Sequence, residues 1–297
     1  MRMTAASVYR DSIASMERTS QRLLEFQEQV QSGKRINRPS DDPDGLAAAI
    51  GERAEVAAIE QYTRTGDSVT SRLTVLDTAL NDIIDRLTLA QSTIVGAQGS
   101  QKTDGEREAA ARTLDGVKQA LLADLNTSFR GTHVFGGADS IDPPFMITGS
   151  VVSPYQGSTQ EVAVDLDQTH SATIGIDGSV ISQGSAASDV FTVLDTAMAA
   201  ARSGDAVALG QALSDIEAVF ERATLVQTRV GTTLSSMESL KGALSDRRLA
   251  TKARIAKLED ADLATAITGM TQADAAYRAS LAATSRITQL SLMDYLK

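Results

Sequence analysis

The chain has 297 residues, 42% of them apolar and 22% charged, with a formal net charge of −10. Such an acidic balance lacks the basic footprint of a nucleic-acid binder, and no apolar run is long enough for a membrane-spanning helix, so neither nucleic acid nor membrane insertion is expected. With no cysteine, disulfides, thiolate metal sites and a cysteine nucleophile are excluded, and with 4% aromatics and no tryptophan there is little to wall a ligand pocket.

The N-terminal stretch carries charges where a secretory leader would need an apolar segment, so export would have to use another route. Tyr9, Met16, Leu23 and Val30 then recur at seven-residue spacing, with Ala6, Ile13, Ser20 and Gln27 as a weaker second row. That pattern predicts a helix with one narrow apolar stripe.

The stretch SGKRINRPSDDPDG, residues 32–45, interrupts the helical pattern. A phosphate-binding loop is excluded because Glu28 stands where that motif needs glycine, and Arg35 where it needs serine or threonine. The ligand spacing of a calcium loop is missing as well. Read as a corner, every part has a use. Gly33 suits a helix C-cap with positive φ, and Lys34 and Arg35 suit the negative end of that helix. Pro39 makes Arg38 extended. Asp42 is a good N-cap, Pro43 fits the first helical position, and Asp44 favours the positive helix start. The acids, Asp41 among them, and the bases are also placed to bridge neighbouring elements.

Leu46 to Tyr62 reads as helix, followed by Val69, Leu73, Leu76, Leu80, Ile83, Leu87, Ala90 and Ile94 in steps of four and three, the spacing of a bundle seam. Thr103 or Asp104 can cap a further helix carrying Leu114, Val117, Leu121 and Leu125. From about residue 129 the composition shifts to proline, glycine and short β-branched runs. EVAVDLD (161–167) alternates with period two, and SATIGIDGSVIS (171–182) predicts two strands around an Asp177-Gly178 turn. His133 and His170 are too far apart in sequence for a helical metal pair, and Asn126-Thr127-Ser128 is a short glycosylation-type sequence that carries little information. Helix resumes near Asp189. The seam Leu209, Leu213, Ile216, Phe220, Ala223, Gln227, Val230, Leu234, Met237, Lys241, Leu244 belongs to one helix over 205–258, roughly 80 Å long at 1.5 Å per residue. The last stripe is Leu263, Ile267, Met270, Asp274, Tyr277 and Leu281.

The predicted fold is mainly α: an elongated antiparallel helical bundle or coiled coil with a small inserted β domain. Residues 39–128 and 189–261 form the bundle, 129–188 the insert, and 1–38 with 262–297 the terminal coiled-coil helices. A narrow stripe on a lone helix cannot bury itself. Either the end helices fold back on this molecule, or they stay unfolded until copies or partners cover them, and the second is expected. The assembly contacts would be Tyr9, Ile13, Met16, Leu23, Val30, Leu263, Ile267, Met270, Tyr277 and Leu281. No nucleophile, base and orienting group converge in the sequence, so no enzyme, cofactor or metal site is expected.

SGKRINRPSDDPDGLAAAI (32–50) resembles the N-terminal signature of the bacterial flagellin superfamily, in which a helix ends at a Ser-Gly-x-Arg-Ile sequence before an acidic corner. The Pro39-Ser40-Asp41-Asp42-Pro43 corner, GTHVFGGADSIDPPF (131–145) and SRITQLSLMDYLK (285–297) resemble the members that join hook to filament more than flagellins proper. The resemblance implies a structural flagellar subunit, extracellular and exported unfolded through the flagellar type III secretion channel without a cleaved leader, with a chaperone holding its C-terminal helix. It implies a ring of copies between the other hook–filament junction protein and flagellin. Two alternatives remain at this level: bulk flagellin, and a secreted adhesin whose insert uses Phe135, Phe145 and Tyr155 to bind glycan on a helical stalk.

Overall fold

The computed structural model describes residues 5–99, 102–149, 151–167, 170–185 and 189–295, with side chains described from residue 10 to residue 286 of the two end helices. Its elements are α1 (Ala5–Ser32), α2 (Pro43–Ala97), α3 (Asp104–Leu125), β1 (Ser128–Phe129), β2 (Thr132–His133), β3 (Ile147–Thr148), β4 (Val151–Val152), β5 (Val162–Asp165), β6 (Ser171–Gly175), α4 (Gly178–Ser182), α5 (Val190–Ser203), α6 (Ala206–Glu259) and α7 (Leu263–Tyr295). The chain divides into a terminal unit, residues 1–59 with 245–297, and a central unit, residues 60–244. It is a mainly α fold with a small β insertion, as predicted.

The central unit holds the large core. Val69, Leu73, Leu76, Leu80, Ile83, Leu87, Ala90 and Ile94 of α2 are all buried, so the predicted seam is real throughout its length. Leu114, Val117, Leu121 and Leu125 of α3 and Leu209, Ile216, Ala223 and Val230 of α6 join the same core. Gln227 of α6 hydrogen-bonds Asn81 of α2 at 2.7 Å, and Lys241 pairs with Asp67 at 2.7 Å. Residue numbers rise on α2 as they fall on α6, so the two run antiparallel. Thr103 caps α3 in a reciprocal box with Glu106, which satisfies two otherwise orphaned helix-start groups.

Among the described residues the insert comprises three two-stranded antiparallel sheets, β1–β2, β3–β4 and β5–β6. The alternation of EVAVDLD yields β5, and its partner β6 lies in SATIG. The predicted second hairpin is absent: Asp177 instead N-caps α4, its side chain accepting from the Ser179 N–H at 2.8 Å. Asp-Gly serves a tight turn and a helix start equally well, and here the short apolar pair Val180-Ile181 has the core beneath it, with Ile181 buried. The β5–β6 connection falls at Asp167–His170 instead, where the Asp167 carboxylate accepts from the His170 N–H at 2.7 Å. Phe145 packs with Tyr155 and Phe191 at ring-centroid distances of 5.5 and 5.4 Å. Arg72 of α2 fastens the insert, donating to the Ile174 carbonyl (2.8 Å), the Thr132 hydroxyl (2.7 Å) and the His133 carbonyl (3.2 Å).

The terminal unit is built differently. Within it α1 packs on α7, and the start of α2 meets the end of α6 through Arg247–Glu55 at 2.7 Å and Arg254–Glu52 at 2.9 Å. Its buried apolar residues, among those described, are only Ile36, Ala49, Ile59 and Ala266.

Candidate functional site

The corner at 32–45 is where the terminal unit is tied together. Gly33 ends α1 with φ of 71°, the left-handed conformation that glycine adopts without a Cβ penalty. Its N–H donates to the Gln29 carbonyl at 2.9 Å. Asp41 then accepts the N–H groups of Asn37 (2.9 Å) and Arg38 (2.8 Å), closing a turn, and those two bonds hold its carboxyl below the usual aspartate range. Asp42 accepts from the Gly45 N–H at 2.8 Å, and Pro43 is the first residue of α2, so the start signal reads as expected.

Lys34 and Arg35 act elsewhere than expected. They serve the end of α6 rather than that of α1. The Lys34 ammonium meets Glu259 at 3.2 Å; the Arg35 guanidinium donates to the Leu258 carbonyl at 2.8 Å and to Asp42 at 3.1 Å. The backbones join as well, with the Arg35 N–H donating to the Glu259 carbonyl and the Ala261 N–H donating to the Gly33 carbonyl at 2.9 Å. The reason is local supply: α6 ends beside the corner, and its last carbonyls need donors that Arg35, two residues past the glycine, can reach.

Glu259 is the centre of this clasp. It is 2% exposed, and one carboxylate oxygen takes both Lys34 and Arg53, the latter at 2.6 Å. The other oxygen is buried and has no hydrogen-bond partner among the described residues. Burial pushes the carboxyl up, but the hydrogen bonds and charges of Lys34 and Arg53 outweigh it and hold the group below its ordinary value. Asp262 caps α7 just beyond, accepting from the Thr265 hydroxyl at 2.9 Å and the Ala264 N–H at 3.0 Å.

The end helices present the second part of the site. The Ser12 and Thr284 hydroxyls hydrogen-bond at 2.8 Å, and Phe26 lies over Gly269, so α1 and α7 run antiparallel. Of the residues named from the sequence, Ile13, Met16, Leu23, Val30, Met270 and Tyr277 are half-buried along this pair. Leu263, Ile267 and Leu281 are 48%, 47% and 43% exposed, as is Leu24 at 60%. Tyr9 falls on α1 but its side chain, like those beyond residue 286, lies outside the described residues. Sequence reasoning missed Phe26 because the companion row was taken at Ala6, Ile13, Ser20 and Gln27, whereas Phe26 lies three residues after Leu23 and four before Val30; that spacing and the lone glycine of α7 were its signals. It also missed Glu259 and Arg53, whose partners are more than 200 residues away in the chain.

In the insert, Phe135 and Phe145 are fully buried, and the Tyr155 hydroxyl donates to the carbonyls of Phe135 (2.9 Å) and Ser158 (3.1 Å). These rings are core, so the sugar-binding wall expected for an adhesin is missing. The Asn126 amide brackets the Phe145 backbone, donating at 2.8 Å and accepting at 3.1 Å.

The corner is thus tied to the end of α6, and α1 is paired with α7. Models of the bacterial flagellin N-terminal helical region and C-terminal helical region match residues 5–140 and 213–296. The chain belongs to the flagellin family. Among its relatives, flagellar hook-associated protein 3 of Escherichia coli is 25% identical over 320 residues, covering 100% of both chains. Flagellin B of Helicobacter pylori is 30% identical over 119 residues, covering 38% of this chain and 22% of that one. In fold the chain is similar to a putative flagellar hook-associated protein from Vibrio parahaemolyticus (TM-score 0.70, 16% identity, 74% of this chain and 100% of that one). It is also similar to the flagellar junction protein FlgL from Legionella pneumophila (TM-score 0.61, 12% identity, 72% and 100%).

Proposed function

We propose that this chain is a structural, non-catalytic subunit of the bacterial flagellum, standing where the hook meets the filament. The observation that carries the reading is one of extent. The match to hook-associated protein 3 runs over 100% of both chains, whereas the match to flagellin B spans 22% of that protein, so the central unit and insert follow the former pattern. That difference favours a junction subunit over bulk flagellin.

In this reading the terminal unit is a half-built surface. With four buried apolar residues among those described, it has far less core than the central unit. Leu24, Leu263, Ile267 and Leu281 stand exposed on its end helices and would be covered by the same helices of neighbouring copies. A two-helix pair with so thin a core is marginal in water, which suits a chain that is exported unfolded through the flagellar type III apparatus and ordered on arrival. A ring of copies would meet the other junction protein on one side and flagellin on the other, and an export chaperone would hold α7 beforehand.

Imaging flagella from a strain lacking this chain tests the reading. Hooks without filaments, with flagellin shed into the medium, are expected. Normal filaments would contradict it, and loss of flagellin from the medium would point to the bulk subunit.

A further inference from the structure

Charge is divided unevenly between the two units. The terminal unit carries 16 basic and 15 acidic side chains, a net of +1, and the central unit 12 and 23, a net of −11. The chain's whole excess of negative charge therefore lies in the central unit. Ion pairs form in both units, in the central one at Asp67, Glu106, Glu108, Asp124, Glu161 and Asp195, so they do not offset the difference in net charge. In the terminal unit Glu28, Asp42, Glu52, Glu55, Glu259 and Asp274 each meet a cation. On the central unit's long helices, Asp82 and Asp85 of α2 and Glu217 and Glu221 of α6 are exposed, and none forms an ion pair among the described residues.

Two of these acids have apolar neighbours. Asp85 lies one helical turn before Leu89, which is 44% exposed, and Glu221 one turn before Leu225, which is 66% exposed. Side chains four apart share a helix face, so each exposed leucine is offered to a neighbour together with an uncompensated carboxylate. Bringing a second copy against either leucine brings like charges together and removes water from them, and both steps oppose contact.

We propose that the acidic central unit is an electrostatic brake on contact between copies. Association then starts through the near-neutral terminal unit and strengthens as salt screens the central unit or as its carboxylates are neutralised. This rests on the copy-to-copy contact proposed above. The range of the repulsion is the screening length, about 30 Å at 0.01 M salt and about 3 Å at 1 M. Contacts driven by opposite charges would respond in the other direction, weakening with salt.

The test is sedimentation velocity of the full chain at about 0.02 M and about 0.5 M NaCl, beside the variant Asp82→Asn, Asp85→Asn, Glu217→Gln, Glu221→Gln, its fold checked by circular dichroism. The parent should gain mass at the higher salt, and the variant should already associate at the lower one, with an apparent association constant raised about tenfold or more, as expected when repulsion sets the constant. If the parent associates more weakly with salt, or gains mass while the variant at low salt does not differ from it, the brake is overturned and copy-to-copy contact stands. If neither associates at any salt, both the brake and the copy-to-copy reading fall.

Discussion

Glu259 concentrates the chemistry of the corner in one side chain. It is buried, it carries two cations from two other elements, and its carboxyl is held below the ordinary value of 4.5. A depressed carboxyl stabilises the folded form at every pH above its unfolded value, and that contribution is lost as pH falls through the folded value. Asp41, Asp42 and Asp262 are shifted in the same direction by backbone and side-chain donors, so their contributions add with the same sign. The clasp between residues 33–35 and 259–261 should therefore hold at neutral pH and open only as pH falls below the ordinary carboxylate range, through the depressed folded-state values, before the apolar core of the central unit responds. Amide exchange at Arg35 and Ala261 followed against pH measures this, and Glu259→Gln should flatten the profile; an unchanged profile would mean that the carboxylate is not the latch. Since Lys34 and Arg53 are half-exposed and can return to water, Glu259→Gln should cost the terminal unit only about 1 kcal/mol. Gly269 is the other decisive residue. A Cβ there would stand 2.6 Å from the Phe26 ring, so Gly269→Val should open the α1–α7 pair and Phe26→Ala should relieve it. A double-mutant cycle read on the pair's stability should show coupling of about 1 kcal/mol, and strict additivity would mean the two do not touch.

At the scale of elements, legibility followed the range of the interaction. Local signals were readable: the Thr103 cap, the Asp42-Pro43 helix start, the Gly33 stop and the four-three seams of α2 and α6 all appear where spacing put them. Failures came where one local signal has two uses or where the deciding partner is distant. Asp177-Gly178 fits a hairpin turn and a helix cap alike, and only the core under Ile181 decided between them. Lys34 and Arg35 look like helix-end cations in the sequence, yet their partners come from α6, more than 200 positions on. The end-helix stripe was legible as a stripe, whereas the division of its residues between a partner helix and solvent was not, because Phe26 and Gly269 set the rotation of the pair. That division carries a prediction. Leu281 is 43% exposed on α7, so Leu281→Asp should shift the melting of the isolated chain by no more than about 0.5 kcal/mol in equivalent stability. The same change should abolish incorporation into flagella, since a charge would then be buried without a partner in the assembled contact. A large loss of melting temperature would place Leu281 in the chain's own core.

For the whole molecule, the two units contrast in what stabilises them. The central unit buries a continuous set of residues from Val69 to Met237 and carries the net negative charge. The terminal unit is nearly neutral, its described residues bury four apolar side chains, and it depends on ion pairs such as Arg254–Glu52 and Arg247–Glu55 together with the Glu259 clasp. Exposed ion pairs contribute little each and weaken with salt, whereas buried apolar surface does not, so the units should differ in stability by several kcal/mol. A subunit made this way keeps one part folded in solution and leaves the other to be finished by its neighbours. Hydrogen exchange on the dilute chain and on the same chain assembled in flagella measures that claim directly. Residues 10–32 and 263–286 should exchange quickly in the dilute chain and slowly once assembled, while 69–94 and 209–244 stay protected in both. Equal protection of all four segments in the dilute chain would contradict the account.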